Sequence, residues 1–302
     1  MEPLTKISDE LHNFSIEILE HPQETKNETV ALQKSLERLQ DRYEKHKKYE
    51  AEVAQRGSKF LSDLALASEI QQSIIPQTGN YSLQNSGISI HTVFRPAQYV
   101  SGDLYDFFMI DNKRLIITMG DVSGGGIPAA LFMGVAHTYI RSNALHETSK
   151  EIVSQVNKQL CKNNANQFFL TLFLGILDIS DGILNYCSAG HTPSILYSAN
   201  GTMQELDNQH GLPLGLYPEK EYSDTSIDIN KGDYLILYTD GVTEHINEAG
   251  EFYGVHSFYS LLNQLKDKTP EEIATMIMKS VDRFGSGVTQ HNDLSLMVVK
   301  FS

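Results

Sequence analysis

Two hydrophobic rhythms divide the chain near residue 75. Upstream, Leu32, Leu36, Leu39 and Tyr43 recur at three- and four-residue steps with charged residues between them, a narrow helical stripe. From Phe60 the face broadens to Phe60, Leu61, Leu64, Leu66, Ile70, Ile74 and Ile75. The run from Asn27 to Ile75 is rich in helix formers, and before Pro76 the only helix breakers are Pro3, Pro22 and Gly57. Pro76 cannot continue a helix, so the pattern predicts a long N-terminal helical or coiled-coil segment over 1–75. The broad face suits a partner helix or the segment's own domain. The stripe spans too few clean heptads to name an oligomer, so a homodimer, an upstream signalling protein and a folded-back helix all stay open.

Beyond Pro76 the rhythm changes. "ISIHTVFRPA", "DLYDFFMI", "RLIITMGD", "FFLTLFLGILD", "ILNYCSAG", "SILYSA", "DYLILYTD" and "LSLMVVKF" are runs of β-branched and aromatic residues that read as strands. Helical runs interrupt them from Pro128 to about Leu145, Ser149 to about Cys161, Gly254 to Leu265, and Pro270 to about Phe284. Strands come in clusters and helices in pairs, unlike the alternation of a doubly wound parallel sheet. The expectation is an α+β domain over 76–302, with mostly antiparallel sheets covered by helix pairs.

Composition narrows the partners. With 302 residues, 40% of them hydrophobic, the chain can build one large core with an appendage. A formal charge of −14 disfavours nucleic acid and anionic membrane, and suits sites that gather cations. Cys161 and Cys187 lack metal-ligand spacing and read as core residues. No run approaches the roughly 18 apolar residues of a membrane span. The opening "MEPLTKISDELHNF" has no apolar signal core, which predicts a cytoplasmic protein.

Four places share one pattern, an acid at a strand end, mostly beside glycine: Gly102-Asp103, Gly120-Asp121, Asp240-Gly241 and Asn292-Asp293. A hydrophobic strand delivers its terminal side chain to a fixed place, and glycine permits close approach there. Several carboxylates at one sheet edge repel unless a cation sits between them, and Mg²⁺ or Mn²⁺ takes such oxygen ligands. Any one Asp-Gly alone reads as a turn. Gly124, Gly126 and Ala129 also fit G-x-G-x-x-A, but no second parallel strand follows, and Asp121 would face the phosphates.

Taken in order, "EIQQSIIP", "FRPAQYVSGDLYDFF", "GDVSGGGIPAAL", "FFLTLFLGILD", "YCSAGHTPSILY", "GLPLGL", "GDYLILYTDGVTE" and "NDLSLMVV" give the chain from about residue 65 its identity. It resembles bacterial PPM-type serine/threonine phosphatases, most closely the branch that serves partner switching in stress response and sporulation. The resemblance implies a four-layer αββα sandwich with a two-metal Mn²⁺ or Mg²⁺ centre between the sheets. Asp121 would bridge both ions with help from the Val122 carbonyl, while Asp103 would bind one ion and Asp240 the other. A metal-bound water would attack phosphoserine or phosphothreonine on an anti-anti-sigma-like, STAS-type partner. The helix before the domain resembles a linker that receives upstream signals.

Two positions depart from that pattern. Gly125 stands where Lys or His is usual, and Asn292 stands where a metal-binding Asp is usual. Asparagine offers a neutral oxygen and a weaker hold on a hard cation. Asp293 would replace it only if residue 292 lies in a turn, because along a strand the two side chains point to opposite faces. A metal-impaired pseudophosphatase that binds a phosphorylated partner is therefore the rival expectation. Asp106 is expected to support Asp103, and Glu244 to brace the loop after Asp240.

Overall fold

A computed structural model describes residues 26–302 apart from 84–85, 147, 163, 207–210 and 265–266. The first 25 residues of the predicted helical segment therefore lie outside the described residues. The helical rhythm that follows is one helix, α1 (Lys26–Ile74), which stops two residues short of Pro76. The chain divides into two compact units, Met1–Asp63 and Leu64–Ser302. In the first, Leu39, Tyr43, Tyr49, Val53 and Phe60 are exposed.

The second unit holds the last turns of α1 and two sheets. The strands are β1 (Gly79–Leu83), β2 (Ile88–Arg95), β3 (Leu104–Met109), β4 (Arg114–Val122), β5 (Leu170–Asp178), β6 (Ile183–Ala189), β7 (Ser194–Tyr197), β8 (Met203–Leu206), β9 (Thr225–Asp228), β10 (Tyr234–Tyr238) and β11 (Leu294–Phe301). One sheet runs β1-β2-β11-β10-β7-β8 and the other β3-β4-β5-β6-β9. Every pairing between these strands is antiparallel, as the clustering of strand runs predicts, so the glycine-rich stretch lies in no dinucleotide-binding βαβ unit.

The helices that follow α1 are α2 (Gly126–Ser142), α3 (Ser149–Cys161), α4 (Asp240–Thr243), α5 (Gly254–Leu262) and α6 (Pro270–Phe284). Three apolar clusters show the layering. Ile90, Tyr105, Ile117, Phe173, Leu237 and Val299 fill the space between the sheets. Ala129, Met133 and Ile140 of α2 pack with α3 on the outer face of the second sheet. Ile273, Ile277 and Val281 of α6 pack with Phe258 of α5 on the outer face of the first. The result is the expected αββα sandwich. The strands β1, β8 and β9 are not among the apolar runs of the sequence, being short, polar and largely exposed. At or near sheet margins a strand needs only one neighbour and little apolar burial.

Local chemistry places the helices. Thr269 caps α6 and exchanges hydrogen bonds with Glu272 while Pro270 opens the first turn. On the other side, α2 is tied to β3 by Asp106. The Arg141 guanidinium donates to both Asp106 oxygens at 2.7 and 2.9 Å, and His137 Nε2 lies 2.8 Å from one of them. Alternation along β3 puts Tyr105 and Phe107 between the sheets and Leu104 toward α2, the side Asp106 also takes. Asp106 thus anchors a helix instead of supporting Asp103, which corrects the sequence expectation.

Burial alone would raise the Asp106 pKa, but its hydrogen bonds with His137 and Arg141 and their charges hold it below the ordinary carboxylate value. A depressed folded value gives stability that is complete above the unfolded value of about 4 and is lost as pH falls through the folded one. Asp106→Ala should cost about 3 kcal/mol in urea unfolding at pH 7, the low end for one-sided loss of a buried pair, because Arg141 keeps access to water. The wild type should lose this advantage below pH ~4. A gap between the two proteins that stays constant down to pH ~2 would contradict the tie.

Candidate metal centre

The strand ends bring the predicted acids to one mouth of the sandwich. Asp103 immediately precedes β3 and is 1% exposed. One of its oxygens accepts hydrogen bonds from the Thr239 hydroxyl at 2.8 Å and the Ser295 hydroxyl at 2.7 Å. Thr239 follows β10 and Ser295 lies in β11, so this carboxylate at the edge of one sheet is held by hydroxyls of the other. Ser295 also donates its backbone N–H to the Thr239 hydroxyl. Thr239 and Ser295 escaped the sequence reading. Their one signal was a hydroxyl where an otherwise apolar run would carry a hydrocarbon.

Asp121 comes from β4 and is hydrogen-bonded to Asp103. Gly102 explains their closeness to the next loop. A Cβ on Gly102 would stand 3.0 Å from the Val122 carbonyl oxygen and 3.6 Å from Asp121 Oδ1, so only a residue without a side chain leaves that cradle open. Asp240 starts α4 and accepts a 2.7 Å hydrogen bond from the Asn292 amide nitrogen. Glu244 closes the same turn, its N–H donating to the Asp240 carbonyl at 2.7 Å.

Asn292 lies in a bend, and β11 begins at Leu294. The geometry that would let Asp293 turn inward is therefore present. Its oxygens are nevertheless committed, one to the Ala97 N–H and the other to the Gly102 N–H, each at 2.8 Å. Asn292 Oδ1 accepts from the Asp293 N–H at 2.9 Å, which leaves its NH₂ facing Asp240. Gly125, the other departure, has nothing within 4 Å of where its Cβ would stand, so a side chain there would meet open space.

Electrostatics mark the cluster. Burial first, then the Asp121 charge, pushes the Asp103 pKa well up against the pull of the Ser295 and Thr239 hydroxyls. Burial, then the Asp240 and Asp293 charges, pushes Asp121 up to about 7, with the Asp103 hydrogen bond opposing. Burial also raises Asp240, and the Asn292 amide pulls it back. What raises Asp121 is burial and the negative charge of Asp240, Asp293 and Glu244. Among the described residues no three acid, His or Cys side chains close into a ligand cage. The carboxyls are paired instead, Asp103 with Asp121 and Asp240 with Asn292. An all-oxygen set of crowded carboxylates near the Val122 carbonyl fits a hard divalent cation, which would supply the positive charge these acids lack.

His191 stands behind this mouth. Its Nδ1 is 3.0 Å from the Thr171 hydroxyl, which reaches the Asp121 carbonyl at 3.4 Å. Burial lowers its pKa to about 4, with the Tyr238 main chain opposing, and Nε2 makes no well-formed hydrogen bond. The ring is neutral at pH 7 and supports β5 against β4.

The family description "Stage II sporulation protein E (SpoIIE)" matches residues 111–302. Protein IcfG of Synechocystis sp. (strain ATCC 27184 / PCC 6803 / Kazusa) is 30% identical over 267 residues, covering 78% of this chain and 41% of that protein. Phosphoserine phosphatase RsbU of Bacillus subtilis (strain 168) is 28% identical over 243 residues, covering 79% of this chain and 70% of RsbU. The solved SiaA-PP2C domain of Pseudomonas aeruginosa superposes with a TM-score of 0.71 at 19% identity, covering 82% of this chain and 98% of that one, a likeness of fold. The chain thus spans less than half of IcfG and about two thirds of RsbU.

The packing of the mouth depends on Gly241. A Cβ there would fall 1.9 Å from the Asp293 carbonyl oxygen, a backbone atom that cannot swing aside. Gly241→Ala should lose at least about 1–3 kcal/mol by thermal or urea unfolding. An alanine variant as stable as wild type would show that the two backbones are not in contact.

Proposed function

This chain belongs to the SpoIIE family of PPM-type phosphatases, and from that premise we propose that it is a metal-dependent phosphoserine/phosphothreonine phosphatase. The observation that carries the reading is the convergence of Asp103, Asp121 and Asp240 from both sheets into a buried site short of positive charge. Asp103, Asp121, Asp240 and the Val122 carbonyl would hold Mn²⁺ or Mg²⁺. When bound, such ions supply charge for the phosphoryl oxygens and acidify the attacking water.

The protein's own residues fit direct hydrolysis. Hydroxyls beside the acids are engaged, since Thr239 and Ser295 donate to Asp103 and Ser101 Oγ accepts the Asp103 N–H. The Thr239 and Ser295 hydroxyls are spent on holding the Asp103 carboxylate, so water is the fitting nucleophile. Asp293 serves the same chemistry by holding the loop that presents Asp103, and its role as a direct ligand stays a proposal that would require it to release two backbone N–H groups. The substrate we propose is a phosphorylated anti-anti-sigma-like, STAS-type protein. The helical N-terminus would take an upstream signalling protein or a second copy of the chain, and the site of action would be the cytoplasm. No helix among the described residues is long and apolar enough to cross a membrane.

One observation favours a second reading, a pseudophosphatase that binds its phosphorylated partner without turning it over. The Asn292 NH₂ already satisfies Asp240, and a cation must displace it or turn the amide over. The deciding experiment is Mn²⁺-dependent phosphate release from p-nitrophenyl phosphate, with Mn²⁺ binding followed by calorimetry. The wild type should turn over, Asp121→Asn should be inactive, and Asn292→Asp should need roughly tenfold less Mn²⁺ or below. Wild-type silence with activity awakened by Asn292→Asp would establish the binding reading. Full activity in Asp121→Asn would end the metal account.

A further inference from the structure

The inner face of the last turns of α1 is Leu64, Ala67, Ser68 and Gln71, continued by Ile75 just past its end. Gln71 is the buried polar member of that face, 5% exposed. Its amide makes two hydrogen bonds to one residue: Nε2 donates to the Ser101 carbonyl at 2.7 Å, and Oε1 accepts from the Ser101 N–H at 2.9 Å. A side-chain amide thus pairs both backbone groups of Ser101, as a neighbouring strand would. Ser101 is fully buried in the irregular loop between β2 and β3, where an unpaired peptide group would be costly.

That loop leads straight to the metal centre. Ser101 Oγ accepts the Asp103 N–H at 3.0 Å, and the intervening Gly102 donates to Asp293 and accepts from the Val122 N–H. Between Pro96 and Asp103 the chain has no regular structure of its own. Two side chains hold it, Gln71 from the helix and Asp293 from the approach to β11. Packing alone would be met by leucine or methionine at position 71. What glutamine adds is a fixed position for the Ser101 peptide, and Asp103 starts two residues later.

We propose that Gln71 is a positioning residue of the phosphatase centre, acting through the Ser101 peptide to set where the Asp103 carboxylate stands. This rests on the phosphatase reading above and adds to it the one side chain of α1, among the described residues, that is hydrogen-bonded to the site's loop. Gln72, its neighbour, is exposed and donates only to Ser68, so it makes a control on the same helix turn.

The test uses the full chain with Gln71→Met, which keeps volume and loses both hydrogen bonds, Ser101→Ala, which keeps the Gln71 pairing and removes the Asp103 N–H acceptor, and Gln72→Ala. Three quantities are read: amide hydrogen exchange over residues 97–103 without metal, Mn²⁺ affinity by calorimetry, and kcat and KM for p-nitrophenyl phosphate. Gln71→Met should speed exchange in that loop and weaken Mn²⁺ affinity and kcat by about 10- to 100-fold, with KM near the wild-type value. Ser101→Ala should move Mn²⁺ affinity in the same direction, and Gln72→Ala should change nothing. Unchanged exchange in Gln71→Met overturns the proposal, as does a lower melting temperature with wild-type Mn²⁺ affinity and kcat per folded molecule. Should Gln71→Met not fold, wild-type Mn²⁺ affinity in Ser101→Ala overturns it. A wild type that neither binds Mn²⁺ nor releases phosphate sinks the phosphatase reading instead, and the exchange data then decide the clamp by themselves.

Discussion

The constraint on which the rest of this structure depends is the crowding of buried and half-buried carboxylates, with no basic partner among the described residues, at the seam of two sheets. Asp103 sits at 1% exposure with two hydroxyls and another acid for company. An ionised carboxylate in that place is costly, so it must share a proton, find hydroxyl donors, or meet a cation. The hydroxyl donors are the solution the geometry shows, and they account for the local design. Thr239 and Ser295 reach across from one sheet because a hydroxyl is the smallest donor that fits without adding charge. The same contacts fix the two sheets at the mouth, so the site's electrostatics and the sandwich's alignment are one problem.

The contrast with Asp106 is instructive. It is just as buried, three residues along, yet its pKa is held down because Arg141 and His137 face it. Alternation along β3 separates the two acids onto opposite sides of one sheet. On the outer side a cation from α2 makes a structural tie. On the inner side no such cation stands among the described residues, which leaves a site with an unmet demand for positive charge. The protein uses the same residue type for fastening and for chemistry, and the neighbour alone decides which.

Asn292 shows how a single amide changes such a site. An aspartate there would add one more negative group beside Asp240. The amide instead donates to Asp240 and relieves part of the crowding without a metal. That relief stabilises the metal-free state and so opposes metal entry, even apart from the weaker ligand. Gly125, with open space where its side chain would be, leaves the nearby rim bare. Both departures reduce charge at the mouth.

Much of this was legible in the sequence alone. The eight long apolar runs became strands because each buries enough β-branched and aromatic surface to need a sheet, and α3 and α6 match their predicted spans because caps and helical spacing are local signals. The acids at strand ends were legible for the same reason, since a strand's last residue is fixed by its own pattern. What the tertiary structure decided was everything that depends on a neighbour distant in sequence. The strands β1, β8 and β9 exist because a partner strand was within reach. Asp106 took α2 as its partner through Arg141, 35 residues away. Asp293 bound the Ala97–Gly102 loop nearly two hundred residues upstream, and Gln71 bound Ser101 across 30. Periodicity reports which face a side chain takes, because that follows from backbone geometry. It cannot report what waits on that face, because hydrogen bonds and charges act through space, and only folding brings those groups within their few ångströms of reach.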